Sequence, residues 1–164
     1  MDKINTRRIE QQIRNCQKIL TAYDYKEPFS RFLTQFFKQN KQMGSSDRRM
    51  ASRLCYNFFR LGNAFKNLEL VERLTIAEFL CEQQSDVVGL YQPSWLFKEL
   101  RTVEEKVAFL TNRYDSIFLE NVFPHTKELS PSVDKRDFVI SHFLQPDLFI
   151  RVVRGKESFV EKHL

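Results

Sequence analysis

Residues 44–62 read Gly44-Ser45-Ser46-Asp47-Arg48-Arg49-Met50-Ala51-Ser52-Arg53-Leu54-Cys55-Tyr56-Asn57-Phe58-Phe59-Arg60-Leu61-Gly62. The segment is a helix written between two glycines. Ser or Asp next to Gly44 can accept from the free N–H groups of a first turn, and the run stops near Gly62. Met50, Ala51, Leu54, Cys55, Phe58 and Leu61 recur at three- and four-residue spacing, which places them on one buried face. On the same wheel Arg49, Arg53 and Arg60 fall within about 40° of one another, with Tyr56 and Asn57 beside them and Arg48 to one side. An apolar stripe backed by a basic ridge predicts a helix packed on a helical body.

Upstream, Ile9, Ile13, Cys16, Leu20 and Tyr23 predict a helix over 6–24. Arg7, Arg14 and Lys18 lie within about 40° of one another on its opposite side. Pro28 suits the first turn of a second helix carrying Phe29, Phe32, Leu33, Phe36 and Phe37, which the polar stretch Lys38 to Gly44 ends. Downstream, Leu68, Val71, Leu74 and Phe79–Leu80 support another helix. Short elements follow Ser85-Asp86 and cover Pro93 to Leu100. Thr102-Val103-Glu104-Glu105 has the form of a capping box ahead of Val107, Leu110 and Tyr114. Ser116 to Phe123 reads as a short helix, His125 to Ser132 as a loop, and Asp134 to Leu144 as a last helix burying Phe138, Val139, Phe143 and Leu144.

The texture changes at Pro146. Pro146-Asp147-Leu148-Phe149-Ile150-Arg151-Val152-Val153-Arg154-Gly155 starts at a proline, ends at a glycine and is β-branched between, which reads as a strand. A helix is expected to start at Lys156. A lone strand is not stable in water, so this tail is expected to open a second, truncated subdomain. The expected fold is therefore all-α: a bundle of about seven helices over 1–145, then over 146–164 the first strand and helix of a truncated α+β subdomain. The unpaired strand at 147–154 also offers a contact for a homodimer.

Composition narrows the class. The 164 residues are 42% hydrophobic and 29% charged, which suits a globular chain and not a disordered one. Four Gly and five Pro are too few for the turns of a sandwich or barrel. No apolar run is long enough for a spanning helix and the N-terminus has no apolar signal core, so a cytoplasmic protein without a membrane partner is expected. Residues 1–66 hold 14 Lys/Arg against 5 Asp/Glu, whereas 67–164 hold 12 against 16, an asymmetry that predicts one basic face meeting a polyanion.

Catalytic chemistry is not legible in these residues. Gly44, Gly62, Gly89 and Gly155 are too dispersed for a dinucleotide fingerprint or a phosphate loop. His125, His142 and His163 lack ligand spacing, and no close Cys or His pair suits zinc. Cys16, Cys55 and Cys81 sit in apolar stripes and read as buried, reduced thiols.

Two of these segments together resemble a family. The 44–62 helix, with Asp-Arg before a small residue and then a Tyr turn ending in Arg, resembles a helix of NusB-like domains. Phe149-Ile150-Arg151-Val152 looks like the Pro…Arg-Val strand that opens the RNA-binding subdomain of RsmB/Nop2/Sun RNA cytosine-C5 methyltransferases. In bacterial members a NusB-like domain precedes that strand, the order found here. The resemblance implies an RNA-recognition portion, for ribosomal RNA, of an S-adenosylmethionine-dependent methyltransferase. The family's glycine-rich donor loop and its Pro-Cys and Thr-Cys cysteines do not occur here. The chain is thus expected to bind no cofactor and to be no enzyme by itself, S-adenosylmethionine belonging to the missing catalytic domain. RNA contacts are expected from Arg7, Arg14, Lys18, Arg48, Arg49, Arg53, Arg60 and Arg151 to phosphates, from Tyr56 by stacking and from Asn57 at a base edge, with no DNA specificity. A free-standing NusB-like antitermination factor and a helical protein-interaction module remain alternative readings.

Overall fold

Ile9, Ile13, Cys16 and Ile19 are all buried along one face, and that face defines the first helix, α1 (Thr6–Ala22). Asn5 caps it, its side chain accepting from Arg8 N at 3.1 Å. The computed structural model describes residues 5–96, 100, 102–114, 118–145 and 152–162. Helix α2 (Phe29–Gln39) follows Pro28, buries Leu33 and leaves Phe32, Phe36 and Phe37 half-buried. Helix α3 (Ser45–Arg60) buries Ala51, Leu54 and Cys55. Three contacts align α1 with α3: Arg8 Nη2 to Ser46 Oγ at 3.0 Å, Cys16 Sγ to Cys55 Sγ at 3.4 Å, and the rings of Tyr23 and Phe59 at 6.0 Å. Residue numbers rise together along both, so the two helices run parallel.

Helix α4 (Leu70–Cys81) returns antiparallel to α3. Arg73 near its start sits over the Phe58 ring at 4.4 Å, while Glu78 near its end meets Arg53. Residues 74 to 80 are buried without a break, as expected of a helix enclosed on several sides. Leu74 joins Ile9, Ile13, Cys16, Leu54 and Cys55 in one apolar cluster. Ile76, Ala77, Phe79 and Leu80 join Trp95, Val107, Leu110 and Phe143 in a second.

Around the second cluster lie α5 (Asp86–Tyr91), α6 (Pro93–Leu96), α7 (Val103–Thr111), α8 (Phe118–Val122) and α9 (Lys135–Ser141), with α10 (Glu157–Glu161) near the C-terminus. The regular structure of the described residues is all helical. The described residues hold ten α-helices instead of about seven, because elements of one or two turns stand as separate helices. A single 3-10 turn, Thr126–Glu128, sits in the expected loop. The expected capping box is present: Thr102 Oγ1 accepts from Glu105 N at 3.2 Å and Glu105 Oε2 from Thr102 N at 3.0 Å.

Two expectations need correction. Helix α9 buries Val139 and Ile140, and Phe143 follows them inward, but Leu144 is exposed and Phe138 half-buried against Phe123 and His142. No strand occurs among the described residues. Val152 and Val153 have no strand pairing, and Arg154–Gly155 form a turn with Gly155 at φ 82. Residues 146–151 of the expected strand, Arg151 included, lie outside the described residues.

One glycine is fixed by close approach. Gly62 has φ 53, and a Cβ there would overlap the carbonyl of Val122. The next residue seals the crossing, Asn63 N donating to Asn121 O at 2.9 Å.

Candidate nucleic-acid interface

The parallel α1–α3 pair sorts the basic residues by where their ends go. Arg7, Arg14 and Lys18 are all exposed on the side of α1 away from its buried face. Arg14 donates to Gln11 Oε1 at 3.1 Å and lies 3.9 Å from Glu10, a solvent-exposed pairing of little strength. Neither Arg7 nor Lys18 makes an ion pair among the described residues. Arg49 is exposed on α3. Tyr56, one helical repeat further on, is 44% exposed and meets Phe29 edge-on with centroids 5.4 Å apart. Arg48 turns back: its Nε donates to Met43 O at 2.9 Å, closing the turn before α3, and its guanidinium lies over Phe37.

The second ridge expected from the wheel does not form. Arg53 Nη2 donates to Glu78 Oε2 at 2.7 Å, and Glu78 is fully buried. Asn57 is 1% exposed, with Nδ2 donating to Glu78 Oε1 at 2.8 Å and to Glu82 Oε1 at 2.9 Å. Ser85 Oγ adds a third donor to Glu78 at 2.8 Å. Arg60 Nη1 donates to the carbonyls of His142 and Leu144 at 3.2 and 2.7 Å, closing the C-terminal end of α9. Asn57 is therefore buried with its amide nitrogen engaged by two carboxylates, and Arg53 and Arg60 bridge neighbouring elements. For Arg53 and Asn57 the reason is α4: it packs on the flank of α3 that bears them, and Glu78 and the capping Glu82 take up their donors, whereas Arg60 is taken up by the carbonyls that follow α9.

The structure also assembles a cleft that sequence reasoning missed. Between α1, the end of α2 and the start of α3 lies a cavity of about 260 Å³, lined by Asn15, Lys18, Phe36, Asn40, Gln42 and Asp47 among others. Asn15 Oδ1 accepts from Gln11 Nε2 at 3.0 Å, whereas its Nδ2 donates to none of the described residues. Asn40 Nδ2 donates to Phe36 O at 2.8 Å and its Oδ1 accepts from Gln42 Nε2 at 3.3 Å. The trace of this cleft in the sequence is the density of amides around Lys38 to Gly44, a stretch whose polarity by itself predicts no more than the end of a helix.

The remaining chemistry is quiet. Cys16 and Cys55 are buried free thiols, and the hydrogen bond with Cys55 together with burial pushes the Cys16 thiol far above its ordinary range. Burial pushes Cys81 up to about 12. Such thiols are poor nucleophiles at neutral pH. Among the described residues no group of His, Cys, Asp and Glu could hold a metal, and no helix is long and apolar enough to cross a membrane. No protein-family model, no curated protein and no solved structure matches this chain.

Proposed function

We propose that this chain is an RNA-recognition module: a NusB-like helical domain, followed by the opening of a second subdomain, from an S-adenosylmethionine-dependent cytosine-C5 methyltransferase acting on ribosomal RNA. Its catalytic domain would lie outside these residues. The observation that carries the reading is the exposed row Arg7, Arg14 and Lys18 on α1, with Arg49 on the adjoining α3. These cations sit on two helices held together by a buried seam, so little side-chain framework has to be ordered when phosphates arrive. Each phosphate neutralised releases counterions, and affinity falls with salt in proportion.

The test is a titration with structured ribosomal RNA fragments at two salt concentrations. Tight binding that weakens steeply with salt is the expected result. Replacing Arg7→Glu together with Lys18→Glu should lower the salt slope by about two and leave the urea midpoint in place. Unchanged affinity in that variant would sink the α1 row as the contact.

A second reading, a module that docks a partner helix, rests on a different observation. Tyr25 is 73% exposed at φ 61 and lies tilted against Tyr23, whose ring also meets Phe29 and Phe59. A non-glycine residue in the left-handed region is uncommon, and here it holds an aromatic ring at the surface where a partner helix could pack.

A further inference from the structure

The amide cleft between α1 and the start of α3 has the size and the polar pattern of a site for one unstacked base. At about 260 Å³ it is too large for one or two waters, at about 30 Å³ each, and lies below the ~300–1,000 Å³ of drug-sized sites. Phe36 supplies an apolar wall on which a ring can stack, and Lys18 is a cation without an ion pair among the described residues. The polar groups left over are unequal. Asp47 brings two carboxylate oxygens, which only accept, and no hydrogen bond to that carboxylate occurs among the described residues. Asn15, nine-tenths buried, brings Nδ2, a donor left over after its oxygen is taken by Gln11.

We infer that the cleft binds a single-stranded guanosine of the RNA, with Asp47 reading the base and Lys18 holding the neighbouring phosphate. This deepens the RNA-recognition reading and rests on it. Guanine alone among the four bases presents two adjacent donors, N1–H and N2–H, on its Watson–Crick edge, with the O6 acceptor next to them. A carboxylate takes the two donors and an amide N–H takes O6. Adenine and cytosine would turn a ring-nitrogen acceptor toward Asp47, an unpaired and repulsive contact, and uracil offers one donor flanked by two acceptors. Sequence reading of single-stranded RNA uses these edges together with stacking.

The experiment titrates the chain with labelled oligouridine carrying one central guanosine, and with the same strand carrying adenosine there. Intact protein should prefer the guanosine strand roughly tenfold. Asp47→Asn, nearly isosteric and checked for folding by circular dichroism, should abolish the preference without weakening binding to the adenosine strand. Lys18→Gln should weaken both strands alike and keep the preference. Equal affinity of the intact protein for both strands, or a preference that survives Asp47→Asn, overturns the guanosine site while leaving phosphate-driven binding intact. Failure to bind either strand even at low salt also overturns the guanosine site, and the titration with structured ribosomal RNA then decides the RNA reading by itself.

Discussion

Glu78 is a carboxylate with no solvent exposure, and three donors converge on it. An ionised carboxylate away from water costs several kcal/mol unless its oxygens are fully met, and here Arg53, Asn57 and Ser85 meet them. The donors matter as much as the charge. Glu78→Ala leaves Asn57 and the Arg53 guanidinium facing a void and should cost about 3–5 kcal/mol in urea unfolding. Asn57→Ala should cost about 1–3 kcal/mol by the same measurement and leave RNA affinity unchanged. A loss of RNA affinity without loss of stability would return Asn57 to the binding face. Residue positions on a wheel are read from the sequence; the ends of long side chains are not. Arg49 and Arg53 leave α3 close together, yet one reaches solvent and the other a carboxylate on α4, because the identity of the flanking helix is a long-range fact.

At the scale of elements, α1, α3 and α7 were the most legible. Their apolar spacing and the Thr102 capping box survive nearly to the residue, since both signals are local. Short elements such as α5 and α6 show less than two turns of pattern, and only packing against α4 fixes them as helices. The buried thiols carry a pH signature. The Cys16 thiol, raised by its bond with Cys55 and by burial, and the Cys81 thiol, raised by burial to about 12, stay protonated in the folded chain above their ordinary value of 9.0. Unfolded, they ionise first. Their stabilisation is therefore complete below pH 9 and is lost as pH rises above it, for Cys81 until about 12. Burial likewise raises the Tyr114 hydroxyl, which acts in the same direction. Lys106 opposes them: burial lowers its amine below 10.5, so its share of stability grows with pH up to that value. Two thiols and a phenol against one amine predict net alkaline destabilisation. Urea midpoints measured in steps above pH 9 check it, and Cys81→Ala should flatten the slope.

At the scale of the whole molecule, the two apolar clusters are not two domains. Helix α4 gives Leu74 to one and Ile76, Phe79 and Leu80 to the other, while its carboxylates tie down α3. Unfolding should then be a single transition. Trp95, buried in the second cluster beside Phe79 and Phe109, is the sole tryptophan and reports that half by fluorescence, whereas far-ultraviolet circular dichroism reports every helix. Coincident urea curves are expected; a fluorescence change at higher urea than the dichroism change would mean that the α1–α3 half melts alone. The all-helical body could be read from composition and spacing. That α4 would be shared could not, because sharing depends on which faces meet.

The parallel course of α1 and α3 has one more result. Parallel helices point their dipoles the same way, so both positive ends, each equivalent to roughly half an elementary charge, gather at a single pole of the molecule. Arg7 and Arg8 stand at the start of α1, and Arg48 and Arg49 at the start of α3, setting four cations against the one carboxylate of Asp47 at that pole. An antiparallel pair would have cancelled its dipoles. Antiparallel α4 returns a negative end toward that pole and offsets one of the two dipoles, so the bias that turns an approaching polyanion comes from the uncancelled dipole and the arginines together.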